Sequence, residues 1–256
     1  MMNLKALITG ASCGIGRDMA RLLAADKGCE LYLAARSEAR LRELKAELEE
    51  YAPVHIFVCD LSDAESCKGL YEDLKGEDID ILINNAGFGA FGYFGDIPLE
   101  RELNMIDLNV RAVHILTKKF LADFEERDSG FILNVASSAA FLPGPLMATY
   151  YATKAYVLHL TEAVSEELRR KRSRVYIGAL CPGPVDTEFN STAGVSFNLK
   201  SLTSRHVAEY GLRKMFSRRT VIVPGFTVKL GVFFRRFVPR GALVRIAYNI
   251  QRQKGV

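Results

Sequence analysis

Thr9–Gly16, TGASCGIG, sits directly after the apolar run KALIT (Lys5–Thr9). It precedes a segment with Ile15, Met19, Leu22 and Leu23 at helical spacing. The order is strand, glycine turn, helix. Glycine allows a tight turn and a close approach of backbone to a phosphate. The helix that follows offers free N–H groups and the positive end of its dipole. The spacing, T-G-x-x-x-G-x-G, differs from the G-x-G-x-x-G of other dinucleotide folds. A glycine cluster can also be a plain structural turn, but its place between the first strand and the first helix favours a pyrophosphate site.

The same alternation continues outward from this stretch. ELYLAA (Glu30 to Ala35), VHIFVC (Val54 to Cys59), IDILIN (Ile79 to Asn84), GFILNVAS (Gly130 to Ser137), VYIGALC (Val175 to Cys181) and TVIV (Thr220 to Val223) read as further strands. Between them lie an amphipathic helix at Glu38 to Glu50, a helix opened by the capping-box pattern SDAE (Ser62 to Glu65), long helices at Met105 to Phe124 and Tyr150 to Arg172, and one at Ser204 to Phe216. Continuously apolar strands alternating with helices predict an α/β fold: a doubly wound parallel sheet, Rossmann-like, of about seven strands, with helices on both faces.

With 256 residues, 49% hydrophobic and 25% charged, the chain is long enough to bury a sizeable core without covalent staples. No Pro/Gly/Ser-rich linker divides it. Residues 1–225 are read as the dinucleotide-binding and catalytic domain, and 226–256 as a basic, aromatic C-terminal extension of that domain. The five cysteines are odd in number and lack a C-x-x-C pair, so reduced thiols and a cytoplasmic location are expected. The opening MMNLKALITG resembles neither a signal peptide nor a membrane span. The four histidines have no partners at zinc spacing, so no metal site is expected.

Cofactor choice is read at the end of the second strand. NAD-preferring sites place an acid there for the ribose 2′-hydroxyl. Here the sequence is LAARSEAR, with Ala35 and Arg36 in that place. Alanine does not repel a 2′-phosphate, and arginine can fork onto one. NADP(H) is the expected cofactor.

TYYATK (Thr149 to Lys154) places phenols and an ammonium one helical turn apart. Tyr150 and Lys154 are i, i+4; Tyr151 and Lys154 are i, i+3; spacing by itself leaves both open. Interconverting a carbonyl and an alcohol requires a proton carrier titrating near the working pH. A free phenol titrates near 10, and bringing it to about 7 takes roughly 4 kcal/mol of preference for phenolate. A neighbouring ammonium lowers such a value by about 1–3.

With the glycine loop, NNAG (Asn84 to Gly87), the Tyr/Lys pair and PGPVDT (Pro182 to Thr187), the sequence resembles the short-chain dehydrogenase/reductase family over roughly residues 4–225. The family pattern Y-x-x-x-K selects Tyr150 as the acid/base and Ser137, thirteen positions earlier, as the substrate-oxygen donor. Tyr151 would instead select Ser138, and is expected to pack or to border the substrate pocket. The resemblance implies that Lys154 holds the nicotinamide ribose and acidifies Tyr150, and that Asn109 in DLNVRA holds a relay water. Gly10, Ser12, Cys13 and Ile15 would meet the pyrophosphate and adenosine side; Asp60 and Leu61 the adenine; Asn85, Ala86 and Gly87 the ribose; Pro182, Gly183, Val185 and Thr187 the nicotinamide amide. Cys13 and Ala136 depart mildly from the family pattern. A homodimer or homotetramer through the two long helices is also implied.

Charge is uneven. From Arg205 to Val256 there are 12 Lys or Arg against one acid, Glu209, a balance of +11; the rest of the chain carries −7, and the whole +4. The tail mixes aromatics with arginines and fits a substrate flap, a partner-subunit contact, a peripheral contact with an anionic membrane, or a packed extension with solvated arginines. No motif accompanies it that would suggest nucleic acid. The expected activity is NADP(H)-dependent interconversion of an apolar, steroid-like or acyl-like carbonyl and its secondary alcohol. The alternative is a redox sensor that binds NADP(H) without turnover and docks through the basic tail. Dehydratase or epimerase chemistry ranks below both. Specificity is expected from the loops Gly89 to Pro98 and Glu188 to Ser201.

Overall fold

The seven apolar runs form one parallel sheet in the computed structural model, which describes residues 4–189 and 201–252. The strands are β1 (Lys5–Thr9), β2 (Glu30–Ala35), β3 (Val54–Val58), β4 (Ile81–Asn84), β5 (Phe131–Val135), β6 (Tyr176–Leu180) and the short edge strand β9 (Val221–Ile222). Their spatial order is β3-β2-β1-β4-β5-β6-β9. Two two-residue strands, β7 (Val185–Asp186) and β8 (Leu202–Thr203), pair separately.

The helices are α1 (Gly14–Lys27), α2 (Glu38–Leu48), α3 (Ala64–Leu74), α4 (Leu99–Ile106), α5 (Val113–Glu126), α6 (Ala148–Lys171), α7 (Ser204–Phe216), α8 (Phe226–Phe234) and α9 (Arg240–Gln251). Successive strand side chains point to opposite faces, and two cores result. Ala6, Ile8, Leu31, Leu33, Ile81 and Ile83 pack beneath α1, α2 and α7. Leu7, Tyr32, Leu82 and Ile132 pack with residues of α3 and α5 on the other face. Both faces being covered is why these strands read as unbroken apolar runs.

Chain order along the sheet reverses between β1 and β4. There β1 pairs with β2 on one side (Lys5↔Glu30 to Thr9↔Ala34) and with β4 on the other (Ala6↔Ile81 to Ile8↔Ile83). Crossovers leave in opposite directions at this point, and a crevice opens beyond the carboxyl ends of the strands.

A buried polar chain fixes the two central strands against the helix that carries the tyrosines. Asn84 Nδ2 donates to Thr117 Oγ1 (3.0 Å) and to Asn134 Oδ1 (2.8 Å), and Asn134 Nδ2 donates to Thr161 Oγ1 on α6 (3.0 Å). Such a network specifies one arrangement because breaking it strands buried polar atoms.

Two local expectations change. The helix at Ala64 is not opened by a Ser62/Glu65 capping box. Asp63 is the N-cap and accepts from the Ser66 N–H at 2.8 Å, while the Ser62 hydroxyl donates to Asp60 at 2.8 Å. A carboxylate one residue later competes successfully for the cap. The long helix expected at Met105 begins at Leu99 and passes through one π-helical stretch, Asp107–Ala112, which contains Asn109. Such wide turns frequently sit at functional sites.

Candidate active site

The cleft at the switch point is about 610 Å³ and is lined from the ends of β1, β2, β3, β4, β5 and β6. All the expected cofactor residues border it: Gly10, Ser12, Cys13, Ile15, Arg36, Asp60, Leu61, Asn85, Ala86, Gly87, Tyr150, Lys154, Pro182, Gly183, Val185 and Thr187; of the expected catalytic residues Ser137, Tyr150 and Lys154 line it and Asn109 does not.

The glycine loop is shaped by what touches it. Gly10 has φ +64°, and a Cβ there would lie 2.8 Å from Ala86 Cα. A Cβ on Gly16 would lie 2.4 Å from Asn85 Nδ2 and 2.6 Å from the Gly10 carbonyl oxygen. No other residue fits either place without moving backbone or a hydrogen-bonded amide. Asn85 pins the loop: Nδ2 donates to the carbonyls of Thr9 (3.0 Å) and Gly10 (3.1 Å). The Thr9 hydroxyl oxygen accepts from the N–H groups of Asn85 and Ala86 at 3.0 and 3.1 Å.

Helix α1 starts at this loop with no side-chain cap and no acid in its first turn, so its N-terminal donors and dipole favour an anion. Arg17 Nε is buried without a hydrogen-bond partner among the described residues. These features fit a dinucleotide. At the far end of the cleft, Arg36, Ser37 and Arg40 gather around the start of α2. Ser37 is the N-cap residue, yet its hydroxyl makes no cap bond. Arg40 pairs with Glu188 across the mouth, both about half exposed. Sequence reasoning singled out Arg36 and missed Arg40, which lies in the first turn of α2 while Arg36 precedes its N-cap, Ser37.

Cys13 lies partly buried at the loop. Burial raises its pKa most, with a further rise from Glu188 opposed by Arg40 and Arg17, so it behaves as a packed thiol.

Helix α6 delivers Tyr150 and Lys154 into the cleft. The two tyrosines, one residue apart, face different neighbours. Tyr150 is buried, and Ser137 lies close enough to its phenol to favour the phenolate. Its ring lies 5.9 Å from Lys154 Nζ. Tyr151 instead receives a hydrogen bond from Gln251 Nε2 at 2.6 Å. Ser137 ends β5 as the N-cap of a 3₁₀ turn (Ser138–Phe141), its Oγ accepting from the Ala139 N–H at 3.1 Å. Lys154 Nζ donates to the Val135 carbonyl at 2.9 Å, and Gly87 leaves room for it, since a Cβ there would stand 3.3 Å away.

Burial dominates both titrations. It pushes the Tyr150 phenol up to about 12, against a smaller lowering from Ser137. It brings the Lys154 ammonium down to about 8, against a smaller rise from Cys181. The phenol is therefore neutral at physiological pH.

Asn109 is fully buried, and its side chain is engaged by neighbouring protein groups. Oδ1 accepts from Phe88 N–H (3.1 Å), and Nδ2 donates to Phe88 O (2.9 Å) and to Thr153 Oγ1 (3.1 Å). The amide thus clamps the segment after NNAG to the helix bearing Tyr150 and Lys154.

The C-terminal extension returns to the cleft. Val228 of α8 stands against Gly183, where a Cβ would lie 2.6 Å from its Cγ2. Arg235 donates to the Phe141 carbonyl at 2.8 Å, and Tyr248 and Tyr93 hydroxyls meet at 3.2 Å. Of the two loops expected to set specificity, Gly89 to Pro98 carries Tyr93; residues 190–200 of the other lie outside the described ones.

Residues 4–195 match the family profile described as short chain dehydrogenase. The chain belongs to the short-chain dehydrogenase/reductase family. It is 34% identical over 235 residues to the NADP-dependent 3-hydroxy acid dehydrogenase of Schizosaccharomyces pombe, covering 85% of this chain and 88% of that protein. It is also 34% identical over 171 residues to the very-long-chain 3-oxoacyl-CoA reductase of Laccaria bicolor, which covers 64% of this chain but only half of that protein's length.

Among solved structures, the short-chain dehydrogenase from Sphingobium yanoikuyae in complex with NADPH superposes with TM-score 0.83 at 30% identity, covering 91% of this chain and 93% of that one. A family member from Burkholderia phymatum in complex with NAD gives TM-score 0.83 at 26% identity, covering 93% and 95%. These solved family members carry a nicotinamide dinucleotide, NADPH in one and NAD in the other. The reading as a sensor without turnover finds no support. Among the described residues, no helix is long and apolar enough to cross a membrane, and no group of metal-ligating side chains gathers.

Proposed function

We propose that this short-chain dehydrogenase/reductase interconverts an apolar carbonyl compound and its secondary alcohol with NADP(H), with Tyr150 as the acid/base. One observation carries the reading: the Tyr150 phenol meets Ser137 while Lys154 Nζ sits by the same ring, at the inner end of the cleft that the glycine loop opens. Bound NADP(H) supplies or accepts the hydride. In reduction, Tyr150 gives its proton to the carbonyl oxygen. Ser137 donates a hydrogen bond to that oxygen and stabilises charge that develops there. The Lys154 ammonium stabilises the phenolate left behind, in a desolvated site where such attraction is strong. In oxidation the same groups act in reverse.

NADP(H) is favoured by the Arg36, Ser37 and Arg40 cluster and by Ala35 in the place of an acid. A 2′-phosphate there gains charge-assisted hydrogen bonds and competes with Glu188 for Arg40. The similarity to an NADP-dependent relative and to an NADPH complex points the same way. An apolar substrate is favoured by the side chains around Tyr150, among them Phe88, Ala139, Met147 and Phe189, and by the very-long-chain acyl name of one relative.

Self-association is proposed through α4 and α6, where Leu99, Leu103, Ile106 and Tyr156 are exposed; light scattering on the eluted protein tests for a dimer or tetramer. The arginine-flanked phenylalanines of α8 and its 3₁₀ continuation suit peripheral contact with an anionic membrane, tested by cosedimentation with phosphatidylserine vesicles. The central experiment is a panel of ketones and aldehydes with NADPH and NADH, comparing wild type with Tyr150→Phe. Full activity in the variant overturns the acid/base assignment, and a clear NADH preference overturns the reading of Arg36.

A further inference from the structure

Gln251 is the last residue of α9, yet it is only 1% exposed and lines the active-site cleft. It is the one buried polar side chain of the extension among the described residues. Its Nε2 donates to the Tyr151 hydroxyl at 2.6 Å, and its Oε1 has no hydrogen-bond partner among the described residues. A buried amide oxygen left unpaired is unfavourable, and a leucine would cover the cleft without that penalty.

The Tyr151 ring is held in place independently of Gln251. It packs edge-on to Tyr150 with ring centroids 6.1 Å apart, and it lies against Gly144, where a Cβ would come within 2.3 Å of the ring. Burial raises its phenol to about 12, so it stays neutral. With Nε2 donating to Tyr151, the pair still offers an acceptor, Gln251 Oε1, and donors, the Tyr151 O–H and the second N–H of Nε2. Turning the amide over leaves the Tyr151 oxygen as acceptor and the amide N–H groups as donors. A hydroxyl group, which donates one hydrogen bond and accepts others, complements the pair either way.

We propose that Gln251 and Tyr151 recognise a second hydroxyl group on the substrate, making the preferred compound a hydroxyketone or the corresponding diol. The inference rests on the cleft being the carbonyl/alcohol site argued above. It also gives the C-terminal extension a role in specificity: α9 brings to the cleft a side chain 100 residues from its partner in sequence.

The test compares 2-decanone with its 5-, 7- and 10-hydroxy derivatives, using NADPH and wild type, Gln251→Leu and Tyr151→Phe. The readout is the ratio of kcat/KM for each hydroxyketone to that for 2-decanone. For at least one hydroxyl position the ratio should be tenfold or more in wild type and fall at least fivefold in each variant. NADPH dissociation constants from fluorescence quenching should stay within about threefold, which shows that the variants fold. A wild-type ratio near one at every position, or a ratio unchanged in both variants, overturns the proposal while leaving the carbonyl reading intact.

Calorimetric titration of the NADP⁺-loaded protein with decane-2,7-diol and 2-decanol separates the two ideas. Diol binding that depends on Gln251, without turnover of any ketone, sustains the recognition pair and sinks the carbonyl reading. Equal binding of both alcohols by wild type and Gln251→Leu sinks the pair.

Discussion

The α/β body and the C-terminal extension meet at two adjacent tyrosines. Tyr150 looks into the body, where Ser137 and Lys154 are held by the backbone of β5 and the polar chain from Asn84 to Thr161. Tyr151 looks toward the extension and meets Gln251. The body buries its working groups and shifts their titration. The extension is built differently: α8 buries none of its residues, and Phe226 and Phe237 are 78% and 68% exposed. Chemistry is placed where packing allows one arrangement. Selectivity is placed where a side chain can change without disturbing the reaction.

That contrast can be broken most sharply at Tyr150. Tyr150→Phe should lower kcat by roughly 10²–10⁴-fold, the range expected for removing a general acid/base, while NADPH affinity changes little. Steady-state kinetics with a fluorescence-quenching titration check both halves, and comparable losses in Tyr151→Phe would erase the distinction.

The cofactor end of the body comes next. Arg36→Ala and Arg40→Ala should each raise the NADPH dissociation constant by about 10- to 100-fold, the range for losing a charge-assisted contact, and leave NADH nearly unchanged. Glu188→Gln should tighten NADPH severalfold by releasing Arg40. A parallel loss for NADH would show that the arginines do not read the 2′-phosphate.

A smaller effect, on stability, comes from Lys154. Its folded pKa of about 8 lies below its ordinary 10.5. Below about pH 8 the folded state must hold a buried ammonium. Between about 8 and 10.5 the unfolded chain binds a proton that the folded chain has released, so stability rises with pH there. Lys154→Met removes this dependence. Its stability relative to wild type should fall by up to ~3 kcal/mol as pH rises from 7 to 10.5, at about 1.4 kcal/mol per decade. Urea unfolding at the two pH values measures it, and a constant difference would mean that Lys154 is not desolvated.

The smallest effect belongs to the extension. Phe226→Ser and Phe237→Ser should each alter stability by no more than ~0.5 kcal/mol, as exposed substitutions do. A large loss in thermal unfolding of the isolated protein would show that this face is covered in solution.

What could be read from the chain follows the range of the physics involved. Strand runs, the glycine loop and the helix carrying TYYATK are local: a strand's burial shows within a few residues, and Gly10 is required by its own positive φ and by the residue it touches. The cap at Asp63 was misread by one position because Ser62 and Asp63 are both good caps, and only the geometry of the turn selects between them. Arg40 carried no motif, and only the fold brings the first turn of α2 beside Arg36 at the cleft.

By itself, the sequence determined the parallel α/β order and the place of the cleft at the glycine loop. Those depend on periodicity and on backbone limits that act over a few residues. Tertiary structure alone decided that Tyr150 faces Lys154 and Ser137, that the Asn109 amide clamps Phe88, and that Gln251 reaches Tyr151. Successive residues on a helix point about 100° apart, and which direction faces the cleft is set by packing against segments up to 100 residues away.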